Sequence, residues 1–229
     1  MKGIILVLFS ALTAASSANG QIAIAPEAGL NLSDLAIKSN GSTWNATTKG
    51  GLRIGGVADI SLTNNLYLQP GLFFMKNRCL VKQPDYFGTG TIDQAYSLNT
   101  LELPVNLEYK FGRPGGNRFF VGAGPYVGYN MSGKVISSGV SRGMSIGTDK
   151  PTAQGPGDDV KRIDIGAGLN VGYQFKNGVF AKAQYQMGVS NLSPTADANN
   201  SIRSSSFGIT VGYFLGKNKL KSKTSGDKK

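Results

Sequence analysis

Apolar and polar side chains alternate with a period of two residues over most of this chain. The clearest run is 101–111, in which every odd position is apolar, and 163–175 repeats it. A period of two is typical of a β-strand with one apolar face, and Gly, Ser, Asn and Thr interrupt every window long enough for a helix. About eight segments carry the pattern: 22–32, 52–62, 66–75, 101–111, 119–131, 163–175, 179–189 and 207–215. The chain is therefore predicted to be all-β.

The connections between these predicted strands alternate between short and long. The short ones, at 63–65, 112–117 and 176–178, have the composition of tight turns. The long ones are polar: 33–51, 76–99, 132–161 and 191–201. A transmembrane β-barrel has this asymmetry, because short periplasmic turns and long external loops join an even number of strands of about ten residues. A soluble β-sandwich, the alternative, gives no reason for it, so we predict a closed antiparallel eight-stranded transmembrane β-barrel.

Charged residues within the predicted strands give a second indication. They are assigned to the face opposite the apolar one, five acidic and five basic: Glu27, Arg53, Asp59, Glu102, Glu108, Lys110, Arg162, Asp164, Lys182 and Arg203. This face would be the wet exterior of a sandwich. In an eight-stranded barrel it is the interior, where side chains must fill the space and charges must be neutralised. We predict a lumen blocked by side chains, with these residues as a structural charge network.

Glycine and aromatic residues fit the same assignment. The chain has 32 Gly, and those on the polar face leave room in a narrow barrel for large rings such as Phe120 and Phe180. The apolar face carries aromatic residues near the short turns: Tyr109, Phe111, Phe119, Tyr173, Phe175 and Tyr213. Such an aromatic belt is expected where a barrel meets the inner headgroups of an outer membrane.

Both ends of the chain differ from the strand region. Lys2 precedes the apolar run 3–9, and small residues lead to a cleavage site after Gly20. This is the pattern of a secretory signal peptide, with a buried N-terminal helix as the alternative. We predict three parts: a signal peptide at 1–20, the barrel at 21–215 and a basic, disordered periplasmic tail at 216–229. No later stretch holds as many as about 18 consecutive apolar residues, so no transmembrane helix is predicted.

The composition argues against several functions. The net charge is +11, and a basic chain suggests nucleic acid or an anionic membrane as partner. The strand charges cancel, however, and six Lys lie in 216–229, so the surplus belongs to the tail and the rims and no nucleic-acid partner is predicted. The chain has no His and one Cys, Cys79, which excludes a Ser-His-Asp triad, a Cys–His pair and a His-based zinc site. We predict no enzyme, no cofactor and no metal site.

Two further motifs superficially suggest chemistry. The glycines of 122–128 and 166–172 resemble a dinucleotide-binding loop, but their third Gly is one residue too far away and neither segment opens a helix. Glu102 and Glu108 lie about 20 Å apart along one strand face, too far for a glycosidase-like pair. Catalysis by Glu102 with a cross-strand neighbour is the alternative to internal ion pairing, which explains both residues more simply.

Four prolines, Pro26, Pro70, Pro104 and Pro125, lie inside predicted strands, and each predicts a local bulge or a water-satisfied partner. Motifs around three of them are Leu68-Gln69-Pro70-Gly71-Leu72, Leu101-Glu102-Leu103-Pro104-Val105 and Ala123-Gly124-Pro125-Tyr126-Val127-Gly128. Together with their order and spacing over 22–215, these motifs resemble the PorT-like family of small outer-membrane β-barrels. The resemblance implies a porin-like barrel in the outer membrane of a Bacteroidetes-type bacterium. The founding member of that family assists protein secretion.

The predicted function follows from a blocked lumen and long external loops, chiefly 132–161. The leading hypothesis is a monomeric structural or interaction protein, serving surface contact, envelope integrity or protein secretion. Its partners would be outer-membrane lipid, the barrel-assembly machinery and another envelope or secretion protein. The alternative is a narrow conduit for small solutes, with apolar ones leaving sideways. Trp44, the only Trp, is a possible loop contact for a partner or packs against its own loop.

Overall fold

β-Strands make up almost all of the structure. A computed structural model describes residues 22–39, 42–84, 91–137, 140–147, 160–193 and 201–215. The strands are β1 (Ile22–Ser39), β2 (Ser42–Ser61), β3 (Leu66–Pro84), β4 (Thr91–Phe111), β5 (Arg118–Ser137), β6 (Val140–Gly143), β7 (Ile146–Gly147), β8 (Val160–Lys161), β9 (Ile163–Gln174), β10 (Val179–Gly188) and β11 (Ser201–Tyr213). Within these ranges no helix is long and apolar enough to cross a membrane. The predicted signal peptide, 1–20, and tail, 216–229, lie outside them.

Eight of these strands pair in a closed antiparallel ring. The order is β4-β3-β2-β1-β11-β10-β9-β5, and β4 also pairs with β5. The junction between the first and last strands runs from Glu27, opposite Gly212, to Lys38, opposite Ser201. A closed ring leaves no unpaired edge. The predicted eight-stranded antiparallel barrel is confirmed.

The wall of the barrel is taller on one side than on the other. β1 to β5 contain 18 to 21 residues each, whereas β9, β10 and β11 contain 12, 10 and 13. Most of 33–51 and 76–99, predicted to be loops, is therefore strand, and that prediction is wrong. Pairing continues to Ser39 opposite Ser42 and to Pro84 opposite Thr91. Outside a membrane both faces of a hairpin can be wetted, so paired strands there need no apolar alternation.

Short strands complete the rim between β5 and β9. β6 pairs antiparallel with the end of β5, where Lys134 lies opposite Gly143. β7 and β8 pair in parallel, with Ile146 opposite Val160. The predicted loop 132–161 thus begins as a hairpin extension of the barrel wall and ends as a short two-stranded sheet.

The outer face of the barrel is a belt of exposed apolar side chains. Leu30, Leu72, Leu107, Leu169 and Ile209 are examples, each at least 48% exposed. Near the short turns the belt becomes aromatic, with an edge-to-face pair of Tyr109 and Phe111 at 4.8 Å and another of Tyr173 and Phe175 at 5.0 Å between ring centroids. All six aromatic residues predicted for this face are exposed. An apolar surface of this extent needs a lipid environment.

The prolines interrupt the hydrogen-bond ladders without shifting the register. Pro26 lies opposite Gly56 in β2, but the β1–β11 ladder breaks between Glu27–Gly212 and the Ile24–Leu215 bridge with its register unchanged. The other prolines likewise keep one ladder and break the other. The register shifts occur elsewhere, at 33–36, 49–53 and 99–100. The predicted bulges at the prolines are therefore replaced by local gaps in pairing, which remove the need for the missing donor.

Candidate functional site

The interior of the barrel is the candidate site, because alternate residues of every long strand point into it. The side chains buried there are unusually polar: Glu27, Asn31, Arg53, Asp59, Gln69, Thr100, Glu102, Glu108, Lys110, Arg118, Asn130, Asp164, Asn170, Gln174, Lys182, Gln184, Gln186 and Thr210. Buried charges are tolerated only when they are paired and hydrogen-bonded. Each buried charge of this interior is therefore expected to have an opposite charge or several hydrogen-bond partners beside it.

Lys110 is the centre of the half nearest the short turns. Its ammonium forms an ion pair with Asp59 and lies 3.9 Å from the Glu108 carboxylate. The Gln69 side-chain amide joins the two acids, because its Nε2 donates to Asp59 at 2.7 Å and to Glu108 at 2.9 Å. Lys110 also donates to Gln174 at 3.2 Å. Four strands, β2, β3, β4 and β9, are thereby tied together across the lumen.

A second ion pair fills the same half from the opposite wall. Lys182 donates to the Glu27 carboxylate at 2.8 Å, and Thr210 donates to the other oxygen of Glu27 at 2.6 Å. These side chains are at most 3% exposed. Strands β1, β10 and β11 are held by this contact.

Aromatic rings occupy the remaining space in this half. Phe180 lies 5.0 Å from Phe214 and 6.3 Å from Phe120 between ring centroids. The Lys110 ammonium lies 4.6 Å from the centroid of Phe214, within the range of a cation–π interaction. A Cβ on Gly212 would collide with the Phe180 ring. Rings and ion pairs together close this half, which we call the plug: Glu27, Asp59, Tyr67, Glu108, Lys110, Phe120, Phe180, Lys182 and Phe214.

Arg53 marks the boundary of the plug. Its guanidinium stacks 3.8 Å from the centroid of Phe73 and donates to Glu102 at 2.9 Å. It also donates to the Met75 sulfur at 2.9 Å. From the other wall, Gln186 donates to the same Glu102 oxygen at 2.8 Å. Glu102 is thus neutralised by Arg53 and fixed by two strands.

A cavity of about 380 Å³ lies beyond Arg53, in the half away from the short turns. Met75 and Glu102 form its floor, and it extends to the rim strands. The wall is largely apolar towards the rim, with Leu98, Met144, Val160, Leu192 and Ile202. Polar groups line it deeper in the barrel: Asn77, Thr100, Tyr126, Asn130, Asp164, Gln186 and Ser204. Pockets that bind small molecules have this size and this mixture of apolar walls and few polar groups.

Asp164 is the charged group whose surroundings differ from those of the plug. Its carboxylate accepts hydrogen bonds from Ser204 at 2.6 Å, from Ser190 at 2.7 Å and from Tyr126 at 3.5 Å. Among the described residues no Lys or Arg forms an ion pair with it, although it is only 8% exposed. The three hydroxyls orient the carboxylate without neutralising its charge.

The structure places eight of the ten residues assigned to the lumen charge network inside the barrel. They are Glu27, Arg53, Asp59, Glu102, Glu108, Lys110, Asp164 and Lys182. It brings them together in three groups: around Lys110, around Glu27, and around Arg53 and Glu102. Asp164 lies apart from these groups. Trp44 pairs through its backbone with Ile37, and its side chain lies outside what the structure describes.

Two of the ten assignments need correction. Arg203 is exposed, because it shares the odd-numbered face of β11 with the outward-pointing Phe207, Ile209 and Val211. Arg162 is half-buried and lies in a bend before β9, where the strand period does not fix its direction. It donates to the Tyr129 hydroxyl at 3.0 Å and to the Ile146 carbonyl at 2.5 Å. It therefore belongs to the rim and not to the interior.

Arg118 is a buried charge that the sequence reasoning missed. It donates to the Tyr67 hydroxyl and to the Asn64 carbonyl, both at 2.8 Å, and to the Lys110 carbonyl at 3.2 Å. These acceptors belong to the two neighbouring short turns or to residues beside them, so Arg118 ties the turns together at the base of the plug. The sequence contains a signal for this placement, because Arg118 has an even number like Phe120, and the even-numbered side chains at this end of β5 point into the barrel. The predicted strand simply began one residue too late.

A closed barrel with an apolar belt outside and a polar, packed interior defines the class of small transmembrane β-barrels. The chain belongs to the family described as outer membrane protein beta-barrel domain, whose match covers residues 14–194. This membership indicates the outer membrane as its location. No protein of curated function matches the sequence.

Several solved structures resemble the chain in fold. The outer membrane protein OprG from Pseudomonas aeruginosa has a TM-score of 0.50 at 12% identity, over 85% of this chain and 95% of that one. Neisserial surface protein A has a TM-score of 0.44 at 15% identity, covering 83% and 96%. Ail, the attachment invasion locus protein of Yersinia pestis, has a TM-score of 0.40 at 12% identity, covering 86% and 99%. At these identities the similarity concerns the fold alone.

In the described part of the chain, no group of three or more Cys, Asp or Glu is arranged to hold a metal ion. Cys79 is a buried free thiol in β3. It lies beyond the apolar belt, and burial together with the nearby Asp34 carboxylate raises the pKa of its thiol to about 12. A thiol with such a pKa is a poor nucleophile.

Proposed function

We propose that this chain is a monomeric outer-membrane barrel that does not conduct and acts through its external rim as a structural or interaction protein. The observation that carries the proposal is the plug. Lys110 with Asp59, Lys182 with Glu27, and three phenyl rings leave the lumen near the short turns filled. A barrel closed in this way offers solutes no water-filled path, so its rim and outer surface remain for function.

The finer parts of the proposal rest on the sequence. Residues 1–20 direct export, the short turns and the basic tail 216–229 face the periplasm, and the barrel-assembly machinery inserts the strands. The resemblance to PorT-like barrels favours an accessory role in protein secretion or contact with another envelope protein. The rim strand β6 supports such contact, because Val140 is 71% exposed beyond the apolar belt.

Single-channel recording tests the closed lumen. The refolded wild-type barrel in a planar bilayer should give no reproducible conductance steps. The variant Phe120→Ala/Phe180→Ala, which removes two rings of the plug, should give small but reproducible steps if it inserts equally well. Steady conductance from the wild type would overturn the proposal.

A photo-crosslinking amino acid tests the interaction role in cells. Placed at Ser141 in the exposed β6, it should give a discrete protein adduct. The same amino acid at Asn117, in a short turn at the opposite end, is the matched control for orientation. Adducts from Asn117 but not from Ser141 would contradict an external contact surface.

A second candidate function is a narrow conduit for small solutes, and the cavity of about 380 Å³ favours it. The plug blocks straight passage, so a solute entering the cavity would have to leave sideways through the wall. Proteoliposomes should then swell faster than empty liposomes in small neutral solutes. Equal swelling rates would exclude this function for those solutes.

A further inference from the structure

The cavity combines an apolar wall with a carboxylate that has no counter-ion in the described structure. We propose that it binds a small organic cation with an apolar tail, a primary alkylammonium, whose ammonium group pairs with Asp164. The proposal goes beyond a contact role for the rim, and it stands whether or not the barrel conducts.

The buried carboxylates of the barrel differ in the groups that neutralise them. Glu27, Asp59 and Glu102 each lie within 2.9 Å of a Lys or Arg nitrogen. Asp164 is also buried, at 8% exposure against 2–3% for these groups, but its partners are the neutral hydroxyls of Ser190 and Ser204, and of Tyr126 at 3.5 Å. A buried carboxylate without a cation is costly, and a bound cation removes that cost. The cavity therefore lacks one positive charge beside Asp164, which a bound cation would supply.

The cavity lining carries more acidic than basic side chains. Its lining includes three acids, Asp34, Glu102 and Asp164, and a single base, Arg78. Arg53 at the floor neutralises Glu102, and Arg78 is exposed at the rim, where solvent screens it. The potential deep in the cavity is thus negative and selects a cation over an anion.

Apolar and polar side chains lie at different depths in the cavity. Leu98, Val160, Leu192 and Ile202 lie towards the rim, with Met144 beside them. Asp164 lies deeper, opposite Gly128 in the neighbouring strand β5. A ligand that enters from the rim with its ammonium group first would place this group at the Asp164 carboxylate. Its alkyl tail would then lie against the apolar side chains near the rim. Around Asp164, the Gln186, Ser204 and Tyr126 side chains offer further oxygens to the donors of an ammonium. A linear primary amine can therefore make an ion pair deep in the cavity and apolar contacts near the rim.

Calorimetric titration of the whole protein in zwitterionic lipid nanodiscs tests the proposal, with empty nanodiscs subtracted. The probes are hexylammonium, its neutral isostere hexanol and the anion hexanoate. Hexylammonium should bind saturably and roughly tenfold or more tightly than hexanol, as expected for a charge-assisted contact. Hexanoate should not bind.

The variant Asp164→Asn keeps the size of the side chain and removes its charge. It should reduce the affinity for hexylammonium to about that for hexanol and leave hexanol binding within about twofold. The matched control Glu108→Gln makes the same kind of change in the plug, outside the cavity lining, and should leave the preference for the cation in place. The variant Leu98→Trp fills the apolar wall and should abolish binding of both hexylammonium and hexanol.

Each variant is first checked for folding by the mobility difference between unboiled and boiled samples. Equal affinity of wild type and Asp164→Asn for hexylammonium would overturn the proposal, as would hexanol binding as tightly as hexylammonium. If Asp164→Asn does not fold, the wild-type comparison of the three probes and the Leu98→Trp variant still decide the matter. Conductance measurements bear on the plug alone, so failure of the closed-lumen proposal is recognised separately.

Discussion

The two halves of the barrel interior are built from the same eight strands but have opposite character. In the plug, bulky rings alternate with glycine and nearly every charge meets an opposite charge, as Lys110 meets Asp59. In the cavity, the inward positions of the same strands carry Gly128, Ser204 and Asn130, and the lumen stays open. The number of strands sets the width of a barrel. The size of the inward side chains then decides, level by level, whether that width is filled.

The difference also separates stability from binding. Interactions in the plug join strands that are distant in sequence, since Glu27 and Lys182 are 155 positions apart. The described strands around the cavity are joined mainly by hydrogen bonds between neutral groups, such as Thr100 with Asn130, and one carboxylate there has no cation. Changes in the plug should therefore lower stability, whereas changes in the cavity should alter ligand binding or reactivity with little loss of stability.

Removal of the central ammonium should have the largest effect. Lys110→Ala leaves Asp59 and Glu108 close together without their shared cation, so the free energy of unfolding should fall by about 3–5 kcal/mol. Urea unfolding of the refolded barrel in lipid vesicles measures it. Lys134→Ala, at an exposed position of β5, is the control and should stay within about 0.5 kcal/mol of the wild type. A loss below about 1 kcal/mol for Lys110→Ala would show that the ion pairs do not stabilise the plug.

Loss of a plug ring should rank next. Phe180→Ala opens a void beside Phe120 and Phe214, and should cost about 3 kcal/mol, near the lower end for buried Phe. The same unfolding measurement applies. The matched change on the outer face, Phe111→Ala at 47% exposure, faces lipid headgroups and should cost less. If the two variants lost equal stability, the rings of the plug would not be packed more tightly than the belt.

Arg118 gives a smaller and more specific test. Arg118→Lys keeps the charge but cannot reproduce the forked contacts to the Tyr67 hydroxyl and the Asn64 carbonyl, so about 1–2 kcal/mol should be lost. Hydrogen exchange of the amides in 62–65 and 112–117 should become faster in this variant, because Arg118 fastens these turns. Unchanged exchange there would assign Arg118 to general charge balance instead.

The parts of the fold that the sequence predicts are those in which the membrane restricts the side chain at each position. The lipid-facing side must be apolar at every second residue, so 101–111 predicted both a strand and the inward placement of Glu102, Glu108 and Lys110. Which acid meets which base was not predictable, because Lys110 and Asp59 are 51 positions apart and only the register of several strands brings them together.

The extended strands and the cavity escaped prediction for different reasons. Beyond the belt both faces of β1 to β4 can be wetted, so the alternation fades although pairing continues. The cavity depends on side-chain sizes summed over many strands, which no local pattern records. The outward position of Arg203, in contrast, could have been predicted from the sequence. Its odd number places it on the same face of the strand as the apolar Phe207.

The reactivity of the Cys79 thiol tests whether the cavity wall is shielded from water. This test measures labelling and not stability. It lines the cavity, but its thiol has a pKa of about 12, raised chiefly by burial and further by the Asp34 carboxylate. From the ordinary value of about 9 this lowers the thiolate fraction at pH 8 by about a thousandfold. Alkylation by iodoacetamide at pH 8 should therefore be slower by at least about a hundredfold in the folded barrel than in the unfolded chain.

The sign of the pH dependence follows from the same shift. The unfolded chain releases the Cys79 proton first, so the contribution of this thiol to stability is complete below about pH 9 and falls as the pH rises towards about 12. Ser132→Cys in a Cys79→Ser background is the control, because position 132 is exposed, and its labelling should be fast in both states. Fast labelling of Cys79 in the folded barrel would mean that water reaches the cavity wall freely, and the contrast between a shielded cavity and its solvated rim would then be lost.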